Sequence, residues 1–272
     1  MQSTLIGACN DGLLFPRCVD SLRSELACLE DSEQGALGLA VAVDQQILLR
    51  KQPVQGFSPA ESLEDLHTNL FMMAFQPCEV GSFQSESAQP LRYRGWVFST
   101  AGPVPGDLLS PDGPLSQSLP SFLDANRLTE QSGAILFSYF MGGLYEAGLL
   151  DAKHDQRNQV LQALNGAMLR FREHTGMQAI PFSFTLMRRD FAVGFIGESG
   201  VQRLDLRGAG AEISPELSAN VRLDDGLQSY VKKVVLASTD KELPAPWTRL
   251  EPFQVFLLGK DGSWMSRPAF AA

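Results

Sequence analysis

Few residues in this chain combine the type and the spacing that chemistry needs. Its four cysteines, Cys9, Cys18, Cys28 and Cys78, show no Cys-x-x-Cys spacing, the pattern that serves zinc ribbons and redox pairs. The three histidines, His67, His154 and His174, have no partner at ligand spacing, so neither a metal nor another cofactor is implied. Cys9 as a nucleophile would need a base, and no histidine is near it in sequence; a buried structural thiol is the simpler role. Asp205, Asp224 and Asp225 could suggest a divalent cation, but Asp224-Asp225-Gly226 has the composition of a turn. Gly197-Glu198-Ser199-Gly200 reads as a hairpin loop, because a phosphate cradle would be followed by a helix.

The elements around these residues follow from apolar periodicity and turn signals. Ser3–Cys9 reads as a strand closed by Asn10-Asp11-Gly12, and Phe15–Leu29 has helical spacing. Ala36–Val43 and Gln46–Leu49 flank Asp44-Gln45 as a hairpin. Ser62–Leu70 suits a short helix, Leu70–Phe75 a buried strand and Trp96–Ser99 another strand. Pro103–Pro120 is broken by prolines, serines and turn signals. Ser132–Ala147, with an embedded Gly142-Gly143, reads as a buried helix. Asp155–His174 reads as an amphipathic helix with Val160, Leu161, Leu164, Met168, Leu169 and Phe171 inward. Pro181–Met187 and Asp190–Ile196 form a hairpin separated by a solvated Arg188-Arg189 turn, and Val201–Leu206 is expected to pair next. Lys233–Ser238 and Gln254–Leu258 are the last strands. Strands, helices and strands again, in that order, fit two stacked, mainly antiparallel sheets covered by helices, a four-layer αββα sandwich of the α+β class. No internal repeat or linker divides residues 1–272, so a single domain is expected.

The bulk properties narrow the partners. A 272-residue chain that is 44% hydrophobic can bury one large core or two small ones. A formal charge of −9 and a pI near 4.9 argue against nucleic acid, whose phosphates need cations. No apolar run nears the roughly 20 residues of a membrane span, and the N-terminus lacks the pattern of a signal peptide. Dispersed cysteines in a long chain suit reduced thiols in a cytoplasm.

One run is more specific. Residues 89–104 read QPLRYRGWVFSTAGPV: a proline, a basic-aromatic turn, a Trp-x-Phe strand and a glycine in fixed order. It resembles the HPF-x-x-x-x-W-x-FAHNG-x-(I/V) stretch of the class II glutamine amidotransferases, which are N-terminal-nucleophile hydrolases. Three other runs are similar to segments of that family and come in the same order. They are Leu5–Asp11 near the start, RRDFAVGFIGESGVQRLDL in the middle and Val234–Gly262 late in the chain. The resemblance implies the αββα fold already read from the element order.

What the resemblance implies for chemistry is mostly loss. The family's nucleophile is a cysteine behind the initiator Met, whose freed α-amine is its base; here Ser3 takes that place behind Gln2. The bulk of Gln2 is expected to keep Met1 in place, so Ser3 would carry an amide rather than an amine. The family's His-Val-Arg strand grips the substrate carboxylate; FMMAFQP places Ala74 at the His and Gln76 at the Arg, so the charge is gone. The family's Asn-Gly oxyanion pair becomes Ala101-Gly102, and loss of one such donor costs about 10²–10³ in rate. The family's Asp that holds the substrate ammonium becomes Ser132. The expectation is therefore a catalytically inactive relative that binds another protein, with a small ligand in the vestigial pocket as a further possibility. A hydrolase of altered specificity acting on a neutral amide, and a structural subunit of a larger assembly, are the alternatives.

Overall fold

The computed structural model describes residues 2–9, 35–54, 67–78, 81–110, 113–125, 132–207, 232–238, 243 and 247–270. The strands are β1 (Ser3–Cys9), β2 (Ala36–Val43), β3 (Gln46–Pro53), β4 (Leu70–Gln76), β5 (Leu91–Tyr93), β6 (Trp96–Ala101) and β7 (Ser183–Met187). They continue with β8 (Phe191–Ile196), β9 (Gln202–Arg207), β10 (Lys232–Ser238), β11 (Thr248–Arg249), β12 (Gln254–Gly259) and β13 (Trp264–Pro268). The described helices are α1 (Pro114–Gln117), α2 (Ser121–Ala125), α3 (Ser132–Glu146) and α4 (Arg157–Thr175).

The strands form two antiparallel sheets. One has seven strands in the order β11-β9-β10-β1-β4-β2-β3, and the other six in the order β13-β12-β8-β7-β6-β5. Strands β1, β4, β6 and β8 are buried on both faces, which is why they read as near-continuous apolar runs rather than alternating ones. Alternation survives in which layer each residue serves. Ile6, Ala8, Leu70, Met72 and Leu236 of the first sheet meet Val97, Met187, Ala192, Ile196, Phe256 and Leu258 of the second. Trp96 and Phe98 turn to the other side, where they pack with Ile135, Phe137, Phe140, Leu164, Met168 and Phe171 of α3 and α4. Leu5, Leu37, Phe71, Met73 and Phe75 form a third buried cluster on the outer face of the seven-stranded sheet, with Leu243 and Trp247.

The α+β architecture of two stacked antiparallel sheets with helices is therefore present. Helix α4 ends on Gly176, which adopts φ 67° and returns its N–H to the Arg172 carbonyl at 2.9 Å, a glycine-capped C-terminus with Arg172 and His174 in the last turn.

Three expectations need correction. Val201–Leu206 does not continue the β7–β8 hairpin. After Gly197–Gly200 the chain crosses to the other sheet, where β9 pairs with β10, while β12 takes the place beside β8. Leu169 is 38% exposed; at 100° per residue it lies opposite Val160, and Ala167 fills the inward position instead. Arg188 is not a solvated turn residue. Its guanidinium lies 5.2 Å from the Trp96 ring and donates to the Leu150 carbonyl at 3.1 Å. Within Pro103–Pro120 the chain makes a short 3₁₀ turn, Gly106–Leu109, and then α1. The helix expected over Phe15–Leu29 and most of that over Ser62–Leu70 lie outside the described residues, as do Cys18, Cys28, Asp224 and Asp225.

A neutral polar niche at the end of strand β6

Several of the candidate positions lie near one another where β1, β4, β6 and α3 begin or end. Gln2 precedes β1, Gln76 ends β4, Ala101 and Gly102 end β6, and Ser132 opens α3. Between these ends lies the loop that leads to β5, and it carries Gln89. This residue is 5% exposed and is the hub of the niche.

The orientation of the Gln89 carboxamide is fixed by its surroundings. The Thr100 backbone N–H can only donate, so the oxygen Oε1 faces it, at 2.8 Å. The Ser99 hydroxyl lies 2.9 Å from the same oxygen and donates to it. The amide nitrogen Nε2 donates to Thr100 Oγ1 at 2.9 Å. With Ser99's single hydrogen committed to Gln89, Thr4 donates across the 2.6 Å contact between the Thr4 and Ser99 hydroxyls. Gln2 Nε2 adds a second donor to Thr100 Oγ1, at 2.8 Å. Gln89's own backbone N–H donates to Gln76 Oε1 at 3.2 Å. The first turn of α3 closes in as well: a Cβ on Gly133 would stand 2.9 Å from Gln89 Nε2.

Of the sequence-derived positions, Gln76, Ala101 and Gly102 are brought together here, and α3 starts beside them. Ser3 is not. Along β1, Thr4 and Ile6 face the six-stranded sheet, whereas Leu5 faces the outer cluster; Ser3 lies on Leu5's side. Its neighbours Gln2 and Thr4 reach the niche in its place. Ser3's nitrogen is a strand amide that follows Gln2, opposite Phe75 in the ladder. The Gly102 N–H points to the Gln2 carbonyl at 3.3 Å. Ala101 is 1% exposed and, with Thr4, Ser183, Phe184 and Phe256, lines a cavity of about 10 Å³, room for roughly one water molecule.

Sequence reasoning missed Gln89, Ser99 and Thr100. All three stand inside the 89–104 run, but none occupies a position to which the family resemblance assigns a role. Among the described residues, the hydrogen-bonded members of the niche are amides and hydroxyls, with no carboxylate, imidazole, thiol or amine. Cys9, at the far end of β1, is buried. Among the described residues no three His, Cys, Asp or Glu side chains form a group able to hold a metal ion, and no helix is long and apolar enough to cross a membrane.

Compared by sequence, the chain matches no family profile and no curated protein. Solved structures are similar in fold. A glutamine aminotransferase class-II domain protein from Silicibacter pomeroyi superposes with a TM-score of 0.57 at 14% identity, over 98% of this chain and 99% of that one. A predicted glutamine amidotransferase from Pseudomonas aeruginosa PA01 gives 0.51 at 14%, over 98% and 96%. The glutamine phosphoribosylpyrophosphate amidotransferase of B. subtilis gives 0.52 at 10%, covering 99% of this chain and 50% of that one. At these identities the likeness shows the fold, and it is the fold that the 89–104 motif implied.

Proposed function

We propose that this chain is an amidotransferase-fold protein that no longer hydrolyses glutamine and acts by binding another protein, as a regulatory or scaffold subunit. The observation that carries this reading is the neutrality of the niche. Amide hydrolysis needs a group that accepts a proton near neutral pH and a donor left open for the oxyanion. Here the network of Gln2, Thr4, Gln76, Gln89, Ser99 and Thr100 holds neither acid nor base, and the Gly102 N–H is directed at Gln2's carbonyl. The same packing favours a protein partner over a small ligand, because about 10 Å³ of open space accommodates no metabolite. The four dispersed cysteines, without Cys-x-x-Cys spacing, suit a reducing cytoplasm, and the core shared by the two sheets suits one domain.

The test has two arms. Purified protein incubated with glutamine is expected to release ammonia at the buffer rate, and the Ser3→Ala and Thr4→Val variants to match it. Release by the unmodified chain that either substitution abolishes would overturn the loss of catalysis. For the binding role, protein isolated from its native cell is expected to run with a second chain at fixed ratio. Migration alone at 29.7 kDa under gentle extraction would count against it.

A further inference from the structure

We infer that the cleft between α4 and β13 docks the partner protein through an extended, acidic segment that adds a strand to the free edge of β13. The inference rests on the proposed binding role and gives it a place. Two contacts define the cleft. At one end Arg157 Nη1 donates to Ser263 Oγ at 3.3 Å; at the other the Arg172 guanidinium lies 4.8 Å from the centre of the Phe270 ring. Arg157 to Arg172 is about 22 Å of helix and Ser263 to Phe270 about 23 Å of extended chain, so α4 runs alongside β13. Midway along that run stand Asn165 on the helix and Arg267 on the strand. Met265 and Arg267 pair with Leu257 and Val255, which belong to the core under the helices, so both lie on the helix side of the sheet.

The cleft is unfinished in three respects. Asn165 Oδ1 and Arg267 Nε, an acceptor and a donor, are buried with no hydrogen-bond partner, and each is a cost while unmet. Met265 is 43% exposed, and Leu169, one turn beyond Asn165, is 38% exposed. Among the described strands β13 is also the last of its sheet. Ser263 accepts from the Gly259 N–H, and the Ala269 N–H donates to Phe253, both at 2.8 Å. Bonded pairs alternate in an antiparallel ladder, so Met265 and Arg267 also bond inward, and the N–H and C=O groups of Trp264 and Ser266 point outward. Pro268, next in that series, has no N–H to offer and ends the row.

These features select the occupant. An open edge takes an extended backbone, Met265 and Leu169 take its apolar side chains, and Arg267 takes a carboxylate. Arg157 already faces Asp261 at 3.8 Å and Arg172 donates to Gln178, which leaves Arg267 as the cation in need of a partner. A second copy joined through β13 fits less well, because that strand brings an arginine and no carboxylate.

The experiment selects displayed random peptides on the purified protein, then measures the synthetic winners by fluorescence anisotropy and amide hydrogen exchange. Winners are expected to alternate apolar and acidic residues and to protect the Trp264 and Ser266 amides. Arg267→Glu, and Ser266→Pro, which deletes one outward N–H, should each weaken binding about tenfold or more; Leu48→Ser on the distant edge strand β3 should not. Protection is read on the wild type, so it decides the matter even if a variant fails to fold. Winners that protect another surface, affinity indifferent to Arg267→Glu, no winner at all, or a homodimer that Ser266→Pro splits would each overturn the inference. The binding role is judged separately: a native second chain held at fixed ratio while Trp264 and Ser266 exchange freely would sink the cleft and leave that role standing.

Discussion

Gly102 directs its backbone N–H at the carbonyl oxygen of Gln2, 3.3 Å away, so the end of β6 is tied to the residue that leads into β1. The contact is long for an amide bond, and it holds because Gly102 adopts φ 85°, where a side chain is strained. The turn thereby brings its amide to the chain itself rather than to a ligand.

Gly102→Ala should therefore be costly. Beyond the strained φ, a Cβ would stand 2.7 Å from the Pro181 carbonyl oxygen and 2.8 Å from Ser199 Cβ. Conformational strain and overpacking together predict a loss of roughly 2–4 kcal/mol in a denaturant melt. A variant as stable as wild type would show that the turn relaxes freely and that the Gln2–Gly102 contact is incidental.

Phe98 tests the layer between the six-stranded sheet and the helices. It is fully buried, stacked on Phe137 of α3 at 5.1 Å with planes 6° apart, and it tilts against Phe184 at 5.8 Å. Phe98→Ala empties that site and is expected to cost roughly 3–5 kcal/mol. Phe98→Leu, nearer in volume, should cost about 1.5 kcal/mol or less. Denaturant midpoints for the two variants decide it; a loss below about 1 kcal/mol for the alanine would place the strand at a surface.

The sheets were largely readable because their order depends on apolar runs and turns. The strand expected over Ser3–Cys9 and the hairpins expected over Ala36–Leu49 and Pro181–Ile196 are present, the first hairpin running on to Pro53 and the second starting at Ser183, and Trp96 and Phe98 share a face as a period of two requires. The crossing at Gly197–Gly200 was not readable. A hairpin and a crossover can use the same turn residues, and only the distant pairing of β9 with β10 and of β12 with β8 distinguishes them. The resemblance pointed to Ser3, Gln76, Ala101, Gly102 and Ser132 and did not single out Gln89. Gln89 becomes the hub of the niche through contacts with residues 99 and 100, which no local spacing encodes. Ser3 and Thr4 differ by one residue, and one residue on a strand decides which face a hydroxyl serves.

Lys51 offers a pH-dependent prediction away from the niche. It lies on edge strand β3, and its ammonium donates to the Ser85 carbonyl at 2.8 Å. Burial lowers its pKa to about 8, against a smaller opposing pull from Glu86. The folded value lies below the ordinary 10.5, so between about pH 8 and 10.5 the unfolded chain binds more protons. Stability from this group therefore rises with pH across that window, and the cost of holding the cation is fully present below it. Replacing Lys51 with Met removes the titration: the stability of wild type relative to Lys51→Met should rise between about pH 7 and pH 10. Independently, acetylation of Lys51 followed by mass spectrometry should show a reactivity midpoint near 8, well below that of exposed lysines. A midpoint at the ordinary lysine value, with a stability difference that does not change with pH, would mean that Lys51 is solvated in the folded protein and that the β3 edge is open beside Ser85.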